Sequence, residues 1–363
     1  MKIKHLFFKN HSSGWTLKDI EFSNLSLLVG ASGVGKTQIL HAINVIKHIA
    51  EGHSYNGIEW RISFLQEGEF YLWEGMFDVN DDNEDLFLPG TFKIKKECIR
   101  KDDVIVASRE NGEINFKNTP LIKLDSTKSL VELLKEEDVI KPVYKGFKQI
   151  KYLREFHPGI HVSPDFETLN KPMTLDEIKK VNHPDPLIKI ILLKKNGFEE
   201  FEKIKNNFIE IFPLVQDISY KLHSFYKRTI PMLCIKEKGV RKLITQENIS
   251  SGMLRTLSQL MEMILAGDGD VLMIDEFENG LGINCIDSLA ELISEPDADV
   301  QVIMTSHHPY IINTIPFENW KIVTRCASEV VVKTPEQLRI GRHSRHDAFM
   351  QLIQTDEYKS GKA

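Results

Sequence analysis

Gly30-Ala31-Ser32-Gly33-Val34-Gly35-Lys36-Thr37 fits the pattern Gly-x4-Gly-Lys-[Ser/Thr] at every fixed position. These residue types suit the chemistry of a polyphosphate. Glycines let the backbone turn so that successive N–H groups point at one anion. A helix starting there adds its partial positive charge. Lys36 would reach the β- and γ-phosphates, and Thr37 would give its hydroxyl to Mg²⁺. Gln38, next in the chain, belongs to the same candidate site. A tight turn that merely contains a lysine is the competing explanation. The flanks weigh against it: a buried apolar run precedes the loop and a helical pattern follows.

A phosphate loop needs a carboxylate for its metal, and "DVLMIDEFENGL" offers two. Val271 to Ile274 form an apolar strand, with Asp275 at its C-terminal end, where α/β proteins bind ligands. Asp275 is therefore the expected metal ligand beside Thr37. Glu276, not spent on the metal, is placed to polarise an attacking water as general base. A strand ending in an acidic turn is the plain alternative. The next apolar strand ends in "TSHHPYIIN". His307 is the expected γ-phosphate sensor and His308 the second choice, against a capping role for either. The stretch "ENISSGMLRTL" puts Ser250, Ser251 and Gly252 at a helix start about twenty residues before the Asp-Glu pair. Such a start is either an ordinary serine N-cap or a second anion site. One nucleotide does not need two such sites in one chain. Two chains do, if each offers Ser250 and Gly252 to the triphosphate held by the other.

The elements that must position these groups follow from hydrophobic patterning. "MKIKHLFFKN" and "LKDIEFSN" read as alternating strands, and "LSLLVG" as a buried one. Ile39, Ala42, Ile43, Ile46 and Ala50 keep helical spacing, ending near Gly52. From Gly57 to Asn118 short aromatic and β-branched runs predict an antiparallel sheet. Residues 127 to about 227 read as mostly helical, with a Pro-containing connection near "FHPGIHVSPDF". "TIPMLCIKEKGVRKLIT" reads as a hairpin turning at "KEKG". The apolar runs "DVLMID" and "DVQVIMTS", separated by a helical pattern, predict a parallel sheet covered on both faces. The expected divisions are 1–126, an N-terminal lobe; 127–228, a helical insertion; and 229–363, a C-terminal lobe.

Composition sets the remaining bounds. The 363 residues carry a net charge of −6, which does not mark a dedicated nucleic-acid binder but leaves room for a local basic groove. Lys189, Lys194, Lys195, Lys203 and Lys205 are the candidates for such contacts; a charged face on a surface helix is the commoner cause. The acidic stretch "DVNDDNEDLFLPG" has Asp78, Asn80 and Asp82 alternating. It fails a calcium loop, which needs glycine at Asn83 and glutamate at Pro89, and so reads as a solvated loop. No apolar run approaches the roughly 18 residues of a membrane helix, and the N-terminus does not read as a signal peptide. Four scattered cysteines form no CxxC pair and predict reduced thiols in the cytoplasm. No membrane partner is expected.

In this order, the motifs resemble the ABC-type ATPase heads of the SMC/RecF/OLD group. They are more similar to compact bacterial AAA family ATPases grouped as AAA-15/AAA-21, and the resemblance runs the length of the chain. It implies an α/β P-loop NTPase fold of the ABC-ATPase type, with a mixed central sheet, an antiparallel β lobe and a helical insertion. It implies that Gly30 to Thr37 are the Walker A motif, Ile249 to Met253 the signature, Asp275 and Glu276 Walker B, and His307 the switch histidine. The cofactors would be ATP and Mg²⁺. The implied partners are a second copy of the chain, or a higher homo-oligomer, joined through the ATP sites. A separate effector, a nuclease or toxin in anti-phage defence, is also implied. An ATP-gated DNA-binding repair protein is the alternative, so a nucleic-acid ligand stays open. A transporter-type subunit fits less well, because the signature is not glutamine-rich. Three departures stand out: Ser32 replaces the usual asparagine, the signature reads Ser-Ser-Gly-Met, and Gly282 follows Leu281 where Asp or His is usual. The glutamine that couples the lobes falls on Gln66 or Gln149.

Overall fold

Leu25–Val29 is a five-residue strand with Leu27, Leu28 and Val29 fully buried. It is too short to close a layer alone, and its neighbours explain its burial. In the computed structural model it pairs in parallel with Gln301–Thr305 on one side and Trp320–Cys326 on the other. The structure describes all residues except 81–89, 154–170, 182–184, 226–227, 295–297, 342–343 and 363. Both the Pro-containing connection near "FHPGIHVSPDF" and most of the acidic stretch expected as a solvated loop therefore lie outside the described residues.

The chain divides into two compact units. The first comprises Met1–Arg154, Gly267–Phe277 and Asp299–Ala363. Its sheet has 14 strands among the described residues. Five are parallel neighbours: Ile150–Leu153, Val271–Ile274, Gln301–Thr305, Leu25–Val29 and Trp320–Cys326. Glu329–Lys333 folds back on Trp320–Cys326 and pairs with Thr16–Glu21. From there Lys2–Asn10, Ile58–Gln66, Glu69–Phe77, Ile94–Lys101 and Val104–Glu110 continue as an antiparallel lobe. This is the mixed sheet with an antiparallel β lobe that the sequence led us to expect.

Strand chemistry explains the change of pairing mode. The central parallel strands Leu25–Val29, Val271–Ile274 and Gln301–Thr305 are mostly apolar and almost wholly buried, as strands covered on both faces must be. The lobe strands alternate, with one face on a core of Trp60, Trp73, Phe64 and Phe147. Trp60 and Trp73 meet edge to face at 5.3 Å, a favoured aromatic geometry. The helix Lys36–Ala50 buries Ile39, Ala42, Ile43, Ile46 and Ala50.

The second unit comprises Glu155–Ala266 and Glu278–Ala298. Its longer helices are Ile188–Asn196, Glu199–Ile211, Ser251–Ile264 and Ile283–Ser294. Arg228–Glu237 and Ile244–Thr245 make the expected hairpin. Two strands correct the helical reading of 127–227. Val215–Phe225 pairs antiparallel with Arg228–Glu237 along its whole length. Its period-two run of Ile218, Tyr220 and Leu222 sits among lysines that also suit a helix. Ile150–Leu153 has only four residues, too few to show a period, and its pairing with Val271–Ile274 decides its state.

Candidate functional site

The loop from Gly30 to Gly35 needs glycine for two reasons. Gly30 and Gly35 have φ of +149° and +107°, values that side chains disfavour. Each also lacks room: a Cβ would lie 2.5 Å from the Val323 carbonyl oxygen at Gly30, and 2.9 Å from Val330 Cγ2 at Gly35. Trp320–Cys326 and its return strand thus form the floor of the loop. The helix Lys36–Ala50 begins at Gly35 with no side chain capping it and no acid in its first turn. Lys36 Nζ donates to the carbonyls of Gly30 (2.8 Å) and Ala31 (2.9 Å), which holds the ammonium across the mouth of its own loop.

Asp275 follows the buried strand Val271–Ile274, one strand away from the neighbour of the phosphate-loop strand. Thr37 Oγ1 donates to Asp275 Oδ1 at 3.0 Å, so the two expected metal ligands already touch. Thr305 Oγ1 donates to the same carboxylate oxygen at 2.7 Å and accepts from the Glu276 N–H at 2.7 Å. One buried hydroxyl thereby uses its proton and a lone pair to align both acids. Glu276 has φ of +44°, an unfavourable left-handed conformation for a side-chain-bearing residue. The Thr305 bond secures it, and its side chain is exposed to the pocket.

A pocket of about 280 Å³ brings these groups together. Its walls include Lys36, Thr37 and Gln38 from the loop and helix, and Glu276, Thr305 and His307 from neighbouring strand ends. Mg²⁺ is suited by one or two protein oxygens, with phosphate and water supplying the rest. The pair Thr37 and Asp275 fits that pattern. Among the described residues no three His, Cys, Asp or Glu side chains gather as an all-protein metal cage.

The two histidines separate. His307 lines the pocket, whereas His308 Nδ1 accepts from the Tyr310 N–H at 3.3 Å and caps the helix Pro309–Thr314. In the second unit, Ser250 Oγ accepts from the Met253 N–H at 3.3 Å and caps Ser251–Ile264. A Cβ on Gly252 would lie 2.8 Å from the Gly280 carbonyl oxygen, so this turn packs on the loop that follows the acidic pair. Neither Gln66 nor Gln149 lines the phosphate-loop pocket. Gln66 is buried against Gly146, and Gln149 Nε2 donates to the Asp268 carbonyl at 3.3 Å.

Four of the five lysines considered for nucleic acid have partners within their own unit. Lys189 and Glu262 form a buried pair at 2.7 Å. Lys194 donates to the Ile218 carbonyl and lies over the Phe201 ring. Lys203 and Lys205 pair with Glu199 and Glu202. The cysteines are free thiols, with Cys234 and Cys285 buried. No described helix is long and apolar enough to cross a membrane.

Sequence reasoning missed Thr305 and Arg325, both of which line the pocket. Thr305 was visible as the last residue before "SHH". Arg325 lies about 290 residues beyond the glycine loop, and no motif marks it.

The fold has counterparts among known proteins. A family model described as "AAA domain, putative AbiEii toxin, Type IV TA system" matches residues 25–313. An SMC head solved with the C-winged helix domain of ScpA superposes with a TM-score of 0.55 and 14% identity, covering 92% of this chain and 97% of that one. An SMC head with an extended coiled coil, bound to the C-terminal domain of ScpA derived from Pyrococcus furiosus, gives 0.49 and 16%, covering 93% and 98%. The SMC head domain from Thermotoga maritima gives 0.44 and 13%, covering 92% and 99%. No curated sequence matches the chain.

Proposed function

The chain belongs to this AAA-domain family and has the fold of an SMC-type ABC ATPase head, and we propose that it binds ATP with Mg²⁺ at Gly30 to Gln38 and hydrolyses it. One observation carries the reading. The glycine loop, the Asp275–Glu276 pair and His307 follow neighbouring parallel strands of one mixed sheet, with Thr37 already 3.0 Å from Asp275. Bound ATP supplies the phosphoanhydride bond to be broken, and Mg²⁺ supplies charge neutralisation for it. Loop N–H groups and Lys36 hold the phosphates. Thr37 and Asp275 hold the metal, with Thr305 fixing the carboxylate. Glu276 takes the proton of the attacking water, and His307 contacts the γ-phosphate.

Hydrolysis in this reading resets an assembly. Ser250 and Gly252 of a second copy close over the triphosphate, giving a homodimer or a higher homo-oligomer. The work is conformational and controls a separate effector, a nuclease or toxin, in cytoplasmic anti-phage defence. A family description that names a toxin system supports that context. Free thiols suit a reducing compartment. An SMC head bound to a ScpA domain supports the idea of a protein partner. Likeness to SMC heads also favours one alternative, an ATP-gated DNA clamp. DNA binding that weakens steeply with salt would select it. The internal pairing of Lys189, Lys194, Lys203 and Lys205 speaks for the effector reading.

Phosphate release from ATP tests the enzyme. Wild type is expected to turn over only with Mg²⁺. Glu276→Gln should bind ATP but hydrolyse it on the order of 100-fold more slowly, the usual worth of a general base. Turnover at the wild-type rate in that variant would remove Glu276 from the role.

A further inference from the structure

Arg325 is an exposed arginine at the end of Trp320–Cys326, the strand beside the phosphate-loop strand on the side away from Asp275 and Glu276. Two hydrogen bonds hold it. Its N–H donates to the Gly361 carbonyl at 2.7 Å, which ties the strand to the C-terminal segment. Its Nε donates to the Ala327 carbonyl at 2.6 Å, across a turn where Ala327 has φ of +52°. Gly361 in turn packs so closely on Val34 that a Cβ there would lie 2.3 Å from Val34 Cγ1. Strand, tail and phosphate loop are therefore braced against one another within this unit.

The side chain itself is not consumed by that bracing. Among the described residues no carboxylate pairs with Arg325, and its two terminal amines have no protein partner. Yet the residue lines the same pocket as Lys36, Thr37 and Glu276. A guanidinium with an anchored stem and open terminal donors suits a phosphate oxygen. Its flank decides which phosphate. If the γ-phosphate faces Glu276 and His307, and Lys36 spans the β- and γ-phosphates, the α-phosphate leaves the loop on the opposite side. Arg325 stands on that side.

We propose that Arg325 is a nucleotide-binding residue that donates its terminal amines to the α-phosphate of bound ATP or ADP. This rests on the ATP-binding reading above. The contact is the same before and after hydrolysis, so it holds the nucleotide without distinguishing the two states.

Direct binding of ATP, ADP and inorganic tripolyphosphate to the full chain tests it, using wild type, Arg325→Ala and Arg325→Lys. Thermal melting checks that each variant folds. Arg325→Ala should weaken all three ligands by about tenfold, as expected for loss of a charge-assisted contact, and Arg325→Lys should restore part of the loss. Weakening of ATP alone would put the contact at the γ-phosphate and overturn the proposal. Weakening of ATP and ADP with tripolyphosphate unchanged would put it on the nucleoside and also overturn it. Unchanged affinity for all three would leave Arg325 as a turn-closing residue only. If wild type binds no nucleotide, the parent reading fails and this one with it.

Discussion

Three helices of this protein begin in three different ways, and the difference separates a site from a structural turn. Lys36–Ala50 starts at Gly35 in a left-handed conformation, with no side-chain cap and no acid in its first turn. Ser251–Ile264 starts at Ser250, whose hydroxyl caps the Met253 N–H. The short helix Leu130–Leu133 is capped by Ser129 and also meets an internal carboxyl group: Glu97 accepts from the Leu130 N–H at 2.9 and 3.0 Å. Every helix start presents unsatisfied N–H groups and partial positive charge. In the first, no capping side chain and no acid of its own first turn meets that potential. The third satisfies an N–H with a carboxyl group of the protein itself. The second lies between them, because a capping serine accepts with its oxygen and still has a proton to donate.

The largest expected effect comes from disabling the open start. Lys36→Ala removes the cation across the loop mouth and should weaken ATP by roughly a hundredfold, the worth of two charge-assisted hydrogen bonds. Calorimetric titration measures it. Binding at wild-type strength would mean that the loop is a structural turn after all.

The self-satisfied start should respond to pH instead. Burial pushes the Glu97 carboxyl up to about 7, against the opposing pull of Arg109 and the donors Leu130 and Trp73. A raised carboxyl means that folding takes up a proton between the unfolded value of 4.5 and about 7. In that window the native state binds more protons than the unfolded one, so this contribution to stability falls as pH rises and is flat above it. Glu97→Gln removes the slope. Comparing denaturation at pH 5 and pH 8, wild type should lose about 2 kcal/mol relative to the variant. Parallel curves would mean that Glu97 is ionised throughout.

The intermediate start gives the smallest change in stability. Ser250→Ala should cost about 1 kcal/mol through the lost cap. Ser250→Asp keeps a good cap, so its stability should stay near wild type while its charge repels a phosphate. If nucleotide-driven association survives Ser250→Asp, the serine is a cap and nothing more.

What the sequence made legible follows from range. The Gly30–Thr37 loop, the helix after it and the apolar strands before Asp275 and His307 are specified by local pattern, and all occur where expected. The same holds for the antiparallel lobe, whose alternation is strong. Ile150–Leu153 reads as helix because its state depends on Val271–Ile274, far along the chain; Val215–Phe225 pairs with the next strand, Arg228–Glu237, and reads as helix because its alternating apolar residues sit among lysines that suit either state. Thr305 and Arg325 escaped for a related reason. Each gains its place at the pocket from sheet order, which sets chain segments hundreds of residues apart side by side. His308 and Ser250 show the converse limit: a residue type that suits catalysis also suits a cap, and only the hydrogen bond tells which use is made. For His308 the cap accounts for the residue. For Ser250 it leaves a donor in reserve.

The central claim is that nucleotide held at the open helix start is completed by the serine start of another copy. Solution mass, measured with and without ATP and Mg²⁺ for wild type and Glu276→Gln, tests it most directly. The account predicts that ATP raises the mass of wild type transiently and that of Glu276→Gln persistently. A Glu276→Gln protein that binds ATP yet keeps the same monomeric mass would contradict it.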